Sequence, residues 1–268
     1  MKALLALNGA SLIRTLRYGP RSLKESLEAS YRAIDPFGTA ERRPEGAMLR
    51  RIPEVPINAI AEWPAEIVLD LRYTEVSGST PIRDLVTILA LAIKRQPKGM
   101  LEFGTFWGSA TLNLARNLPN ATIHTIDLPP DPSAAQALTR GKPVDDVYLI
   151  KSRQLGRAFR GSAVEGRIVQ HLGDTAAYDY TVIKDELSFF LIDGSHTYEY
   201  AKSDTMRAFA LAKGESTLVW HDCDEVHPGV TRWLGELLDA GLPVQRIADT
   251  VVACLTVRAD DERLQRFR

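Results

Sequence analysis

Short apolar runs interleaved with segments of helical periodicity constrain this chain more than any other feature. Residues 99–103, 121–126, 167–172, 187–192 and 217–220 are strand-length. Their near-continuous hydrophobicity suits strands buried on both faces. Residues 82–94, 109–118, 196–212 and 229–240 carry the helical period. Pro81 stands at a first helical position behind Thr80 as N-cap, and Gly241 supplies a C-terminal stop. This alternation implies right-handed βαβ units, hence a mostly parallel α/β sheet with helices on both faces. Residues 244–247 and 251–257, joined across Ala248-Asp249-Thr250, read as a closing hairpin whose last strand runs against the rest.

The spacing divides the chain into an N-terminal helical or irregular extension (1–64), a main domain (65–258) with an inserted cap (128–165), and a C-terminal tail (259–268). Pro36, Pro44, Pro53, Pro56 and Pro64 mark residues 35–64 as an irregular linker. The first 24 residues hold Lys2, Arg14, Arg17, Arg21 and Lys24 but no acid, a candidate arm for packing on the body or on a second copy in a homo-oligomer. The apolar run 3–7 is broken by Asn8-Gly9 and precedes no clear cleavage site, so a signal peptide is not expected. No run approaches the ~20 apolar residues of a membrane span. The only cysteines, Cys223 and Cys254, form no C-x-x-C pair, which fits a reducing cytoplasm and excludes a disulfide framework. With 33 bases against 34 acids, broad electrostatic binding of nucleic acid is not expected and a small-molecule partner is.

Residues 101–109, Leu-Glu-Phe-Gly-Thr-Phe-Trp-Gly-Ser, form a strand–turn–helix with glycines at 104 and 108. A dinucleotide fingerprint needs glycine at 106 and 109, where a pyrophosphate approaches the backbone. Phe106 and Ser109 occupy those positions, which disfavours NAD. A cofactor without a pyrophosphate tolerates such a turn. Asp127 closes the next strand, where a carboxylate can accept from both ribose hydroxyls, and Asp174 follows the one after. Each piece alone is more often a turn or cap residue. Three in order on consecutive strand ends point to the carboxyl edge of the sheet, where open α/β sheets bind ligands.

From about residue 80 to 257 the sequence resembles the class I S-adenosylmethionine-dependent methyltransferases. The resemblance implies a Rossmann-like sheet of seven strands with the last reversed. It also implies S-adenosylmethionine as cofactor, held by Glu102 and Asp127, with Gly104 and Gly108 forming the turn and Asp174 facing the adenine. Thr80 joins these cofactor candidates.

Asp193, Gly194, Ser195 and His196 follow the fourth strand of the main domain, and His221, Asp222, Cys223 and Asp224 follow the fifth. A hydroxyl must lose its proton before it attacks a sulfonium methyl, and a histidine suits that task. A divalent ion on the acids would also lower the hydroxyl's pKa. These stretches resemble a branch of the family that includes metal-dependent O-methyltransferases of sugar hydroxyls. That resemblance implies His196 as base, Asp193 and Asp222 as positioning or metal-binding groups, and Mg²⁺ as the ion. His221 stands where the branch has an acid and joins Asp193 and Asp222 as a metal candidate.

Plainer readings stand beside these. Asp193 or Ser195 also suits an N-cap for the helix of 196–212. His227 before Pro228 reads as a loop residue, and His171 as structural. Arg140, Lys142, Tyr148, Lys151, Arg153 and Arg157 on the cap read as solvated surface or as contacts to an acidic acceptor. A non-methylating cofactor-binding relative, or a hydroxylase-annotated member of the superfamily, is the alternative to methyl transfer.

Overall fold

The computed structural model of the chain describes residues 13–16, 44–130, 150–151 and 153–267. Its strands are β1 (Ile13–Leu16), β2 (Glu54–Val55), β3 (Ile67–Asp70), β4 (Gly99–Phe103), β5 (Thr122–Asp127), β6 (Ile168–Leu172), β7 (Leu187–Ile192), β8 (Ala212–Trp220), β9 (Gln245–Ile247) and β10 (Ala253–Arg258). The helices are α1 (Pro44–Arg51), α2 (Ile82–Arg95), α3 (Ser109–Asn117), α4 (Tyr198–Leu211) and α5 (Pro228–Asp239).

The main sheet has the order β2-β9-β10-β8-β7-β4-β5-β6. Strands β4 to β8 pair in parallel, and β10 runs antiparallel to both β8 and β9. The reversed last strand is therefore as expected. The sheet's eighth strand, β2, is only two residues long and pairs in parallel with β9 at one edge. From β4 the chain steps outward to β5 and β6, then crosses to β7 and β8 on the other side. Strand order reverses at β4 and β7, so a crevice forms above their carboxyl ends.

Alternation along these strands sorts the core into two layers. Leu101, Phe103, Phe190 and Ile192 pack with Phe209 of α4 and Trp233, Leu234 and Leu237 of α5. Met100, Phe189 and Leu191 pack on the opposite face with Leu85, Ile88 and Leu89 of α2 and Leu114 of α3. Every residue of β4 is buried, which accounts for a run with no polar alternation.

Several local expectations change. Residues 35–64 are not all irregular: α1 packs on α5, with Met48 seated against Gly235 and Arg51 paired with Asp239. Helix α2 is capped by Pro81 in extended geometry (ψ 146°) without a side-chain hydrogen bond, so Thr80 is not its N-cap. Thr80 Oγ1 instead donates to Asp193 Oδ2 at 3.1 Å. Helix α4 begins at Tyr198, and its N-cap is Thr197, whose hydroxyl accepts from Tyr200 N. Neither Asp193 nor Ser195 caps it, because the chain uses all five residues 193–197 to turn from β7 into the helix. Residues 262–267 fold back as a 3₁₀ turn that buries Leu264 and Phe267. The basic arm lies outside the described residues except at 13–16, which pair antiparallel with β3. Arg140, Lys142 and Tyr148 also lie outside them.

Candidate active site

The glycine turn joins β4 to α3. Gly104 has φ +100°, and a Cβ there would sit 2.1 Å from the Asp193 carbonyl oxygen. Only a glycine lets the tips of β4 and β7 approach this closely. Phe106 also takes a positive φ, +49°, and its N–H donates to Asp127 Oδ2 at 2.8 Å. Gly108 caps α3 at φ +80°, over the ring of Phe159. The described end of the cap is stitched to this turn: Gly156 N donates to Phe106 O, and Ala158 N to Trp107 O.

Asp127 stands at the tip of β5 as expected, but it is already engaged. Its Oδ1 accepts from Leu128 N at 2.7 Å and lies 3.1 Å from Arg153 Nη2. Arg153, read from the sequence as cap surface, is in fact buried against the acid. A carboxylate has about four acceptor positions, so Asp127 keeps capacity for a hydroxyl. Three buried polar atoms here have no hydrogen-bond partner: Trp107 Nε1, Ser109 Oγ and Arg153 Nε. Buried polar atoms are nearly always paired, so orphans gathered at one turn fit a polar ligand.

Glu102 lies under the turn rather than in the crevice. It is 1% exposed, and its Oε2 accepts from Thr125 Oγ1 at 2.6 Å and from Thr111 Oγ1. Burial pushes its pKa up to about 8, against the two hydroxyl bonds, so it is protonated at neutral pH. Asp174 folds onto its own loop, accepting from Ala176 N, and receives the Tyr200 hydroxyl at 3.2 Å.

The other strand tips bring Asp193, His196, His221 and Asp222 together. His221 Nδ1 lies 3.2 Å from Asp193 Oδ1 and 3.1 Å from Asp222 Oδ2, while its Nε2 lies 3.2 Å from Asp84 Oδ2. Burial disfavours a charged ring, but Asp222 and Asp193 hold the His221 pKa well above the ordinary histidine value. His221 is thus an imidazolium inside a ring of acids. Asp222 is buried too, yet His221 and His196 hold its carboxyl well below the usual carboxylate range. Its backbone has φ +60°, a strained geometry for a residue with a side chain, which aims the carboxylate among the histidines. His196 Nε2 lies 2.9 Å from Asp222 Oδ2. The His227 ring packs 4.4 Å from the His196 ring, with Nδ1 3.6 Å from Asp222 Oδ1 and 3.0 Å from Asp224 Oδ1.

Sequence reasoning missed Asp84 and set His227 aside. Asp84 carried one signal, an acid on the helix face that also presents Leu85, Ile88 and Leu89. His171 lies in a partly buried chain in which its Nε2 meets His124 Nδ1 at 2.9 Å and its Nδ1 meets the Tyr178 hydroxyl.

A parallel sheet that reverses order at its centre, a glycine turn facing an acid at the next strand tip, and polar residues at the two following tips together place a ligand crevice at the carboxyl edge of the sheet. Residues 101–223 match the family model described as a methyltransferase domain. Over that stretch the chain is similar to S-adenosylmethionine-dependent methyltransferases. Among solved structures, cofactor-bound Rv0187 from MTB is 16% identical, with 92% of this chain and 100% of that chain covered and a TM-score of 0.52. The SAH-bound Podospora anserina methyltransferase PaMTH1 is 14% identical (91% and 98% covered, TM-score 0.49). The O-methyltransferase TomG from Streptomyces achromogenes, in complex with SAM, is 15% identical (90% and 99%, 0.49). No curated protein matches the chain. Among the described residues, no helix is long and apolar enough to cross a membrane.

Proposed function

We propose that the chain is an S-adenosylmethionine-dependent methyltransferase that acts on a hydroxyl of a small molecule, such as a sugar or natural product, with His196 as the general base. One observation carries the reading: His196 stands at the crevice rim with Nε2 2.9 Å from the ionised, strained Asp222. Asp222 accepts the Nε2 proton, which fixes the tautomer and assigns the base role to Nδ1. Bound S-adenosylmethionine supplies a methyl group made electrophilic by its sulfonium. His196 would take the hydroxyl proton as the acceptor oxygen bonds to that methyl and the methyl–sulfur bond breaks, its electron pair staying on the sulfur of the departing S-adenosylhomocysteine. Asp222 stabilises the imidazolium that results, and Asp193, held by Thr80 and His221, orients the acceptor. Asp127 and the orphan atoms of the glycine turn support cofactor binding there. The near-equal charge balance supports a small acceptor over nucleic acid, and two buried free cysteines suit a reducing compartment such as the cytoplasm.

The Mg²⁺ implied by the resemblance fits the residues poorly. Both nitrogens of His221 face carboxylates, so the ring has no lone pair to offer and itself fills the space between Asp193 and Asp222. Two oxygens remain, fewer than a hard ion requires beside its waters. No step is assigned to a metal at this position. The test is methyl transfer from labelled S-adenosylmethionine to a panel of small hydroxyl compounds. His196→Ala should lower kcat on the order of a hundredfold or more while S-adenosylhomocysteine affinity stays within about twofold. Unchanged turnover in that variant would remove the base role, and cofactor binding without transfer to any acceptor would favour the non-methylating alternative.

A further inference from the structure

We propose that His196, Asp222 and His227 form a binding site for a divalent transition metal of the zinc type, and that filling it switches the base off. The second half rests on the role of His196 argued above; the first does not. One ligand atom from each of the three residues lies within 4.8 Å of the other two. His196 Nε2 is 2.9 Å from Asp222 Oδ2, and His227 Nδ1 is 3.6 Å from Asp222 Oδ1. Bonds of about 2.0–2.2 Å arranged tetrahedrally place ligand atoms roughly 3.4 Å apart, so the spacing is close to what an ion would impose.

The donor chemistry selects the ion. Two imidazoles and one carboxylate suit zinc, cobalt or nickel, whereas Mg²⁺ prefers all-oxygen octahedral shells. Asp222 is shared by three rings: its Oδ2 meets both His221 Nδ1 and His196 Nε2, and its Oδ1 faces His227 Nδ1. Asp84, Asp193 and Asp222 lie on the His221 imidazolium and Asp224 lies on His227, with Arg83 3.9 Å from Asp84, so acids outnumber bases and the cluster draws a cation. The two ligand histidines retain solvent access, with side chains 19% and 28% exposed. Binding displaces the His227–Asp224 hydrogen bond and the Nε2 proton of His196. Once Nε2 is coordinated, the proton of the neutral ring moves to Nδ1, and that nitrogen can no longer accept one from a hydroxyl.

The experiment titrates the metal-stripped protein with Zn²⁺ and with Mg²⁺ by calorimetry at neutral pH, in parallel with S-adenosylhomocysteine, and records the visible spectrum of the Co²⁺ form. The expected result is one Zn²⁺ per chain, held on the order of a hundredfold tighter than Mg²⁺. His227→Ala should weaken Zn²⁺ at least about tenfold and lose the Co²⁺ band, with S-adenosylhomocysteine affinity unchanged. The His227 side chain makes no capping bond to α5, and the ring's bond to Asp224 is part-buried, so the variant should fold. Equal Zn²⁺ affinity in the wild type and His227→Ala, or Mg²⁺ competing on equal terms, would overturn the site. Zn²⁺ binding without S-adenosylhomocysteine binding counts against the methyl-transfer reading alone. Methyl transfer that Zn²⁺ leaves untouched at saturation overturns the switch.

Discussion

His221 Nε2 lies 3.2 Å from Asp84 Oδ2, a contact between the tip of β8 and the first turn of α2 across 137 residues of sequence. Both side chains are buried, and the bond fixes the ring that in turn holds Asp193 and Asp222. The rim at the strand tips is therefore anchored by the buried first turn of α2.

Removing that anchor leaves a buried imidazolium short of one carboxylate. Asp84→Ala should destabilise the protein by about 3 kcal/mol in mildly acidic buffer, measured by urea unfolding. The pH dependence follows from the raised His221 pKa. Its stabilising contribution is complete below the ordinary histidine value of roughly 6.5 and fades as pH climbs through the raised value. The deficit of Asp84→Ala should shrink over the same alkaline range. A deficit that holds constant with pH would show that His221 is not the charged partner.

Glu102 makes the opposite prediction. The unfolded chain ionises it near its ordinary value of 4.5, whereas the folded chain keeps the proton until about 8. Wild-type stability therefore falls as pH rises through that interval. Glu102→Gln removes the titration, so the variant should gain about 3 kcal/mol relative to wild type between roughly pH 4 and pH 7. A constant offset from lost packing would not alter that trend. S-adenosylhomocysteine affinity should be unchanged, because Glu102 is only 1% exposed beneath the turn. Parallel stability curves for the two proteins would mean that Glu102 is ionised in the fold.

The sheet was legible because its central strands are buried on both faces and read as unbroken apolar runs. β2 and β3 were not, since Glu54–Val55 lies among prolines and becomes a strand only because β9 offers an edge. In the site, Asp193, His196 and Asp222 were readable from their places after strand ends. Asp84 was hidden because its partner is distant in sequence, and His227 because only the fold stacks it on His196. Glu102 matched a family motif, yet two threonine hydroxyls beneath the turn take its carboxyl. A motif gives residue type and spacing, whereas burial decides which atoms remain for a ligand.

Asp127 separates cofactor contact from turn architecture. Its carboxylate accepts from Phe106 N and Leu128 N and meets Arg153, so Asp127→Ala strips buried donors of their acceptor. That variant should lose about 2 kcal/mol of stability as well as cofactor affinity. Asp127→Asn keeps one acceptor oxygen but turns an amide NH2 toward Phe106 N or Leu128 N, so it should lose about 1 kcal/mol, less than the alanine variant, while S-adenosylhomocysteine binds on the order of tenfold more weakly in calorimetry, from the loss of one charged acceptor. Wild-type affinity in Asp127→Asn would remove the ribose assignment.

Gly104 and Gly161 allow crowding to be separated from backbone strain. Both hold positive φ, +100° and +69°, and alanine in a left-handed conformation costs roughly 1–2 kcal/mol by itself. A Cβ at Gly161 meets nothing within 4 Å, so Gly161→Ala should cost no more than that. At Gly104 the same atom would lie 2.1 Å from the Asp193 carbonyl oxygen and 2.7 Å from its carbon, both backbone atoms that cannot swing aside. Gly104→Ala must therefore separate β4 from the tip of β7, with a loss above about 4 kcal/mol. The movement carries Asp193 away from Thr80 and His221, so surviving folded protein should bind cofactor poorly and turn over little. Equal unfolding midpoints for the two alanine variants would mean that the tips of β4 and β7 are not in contact.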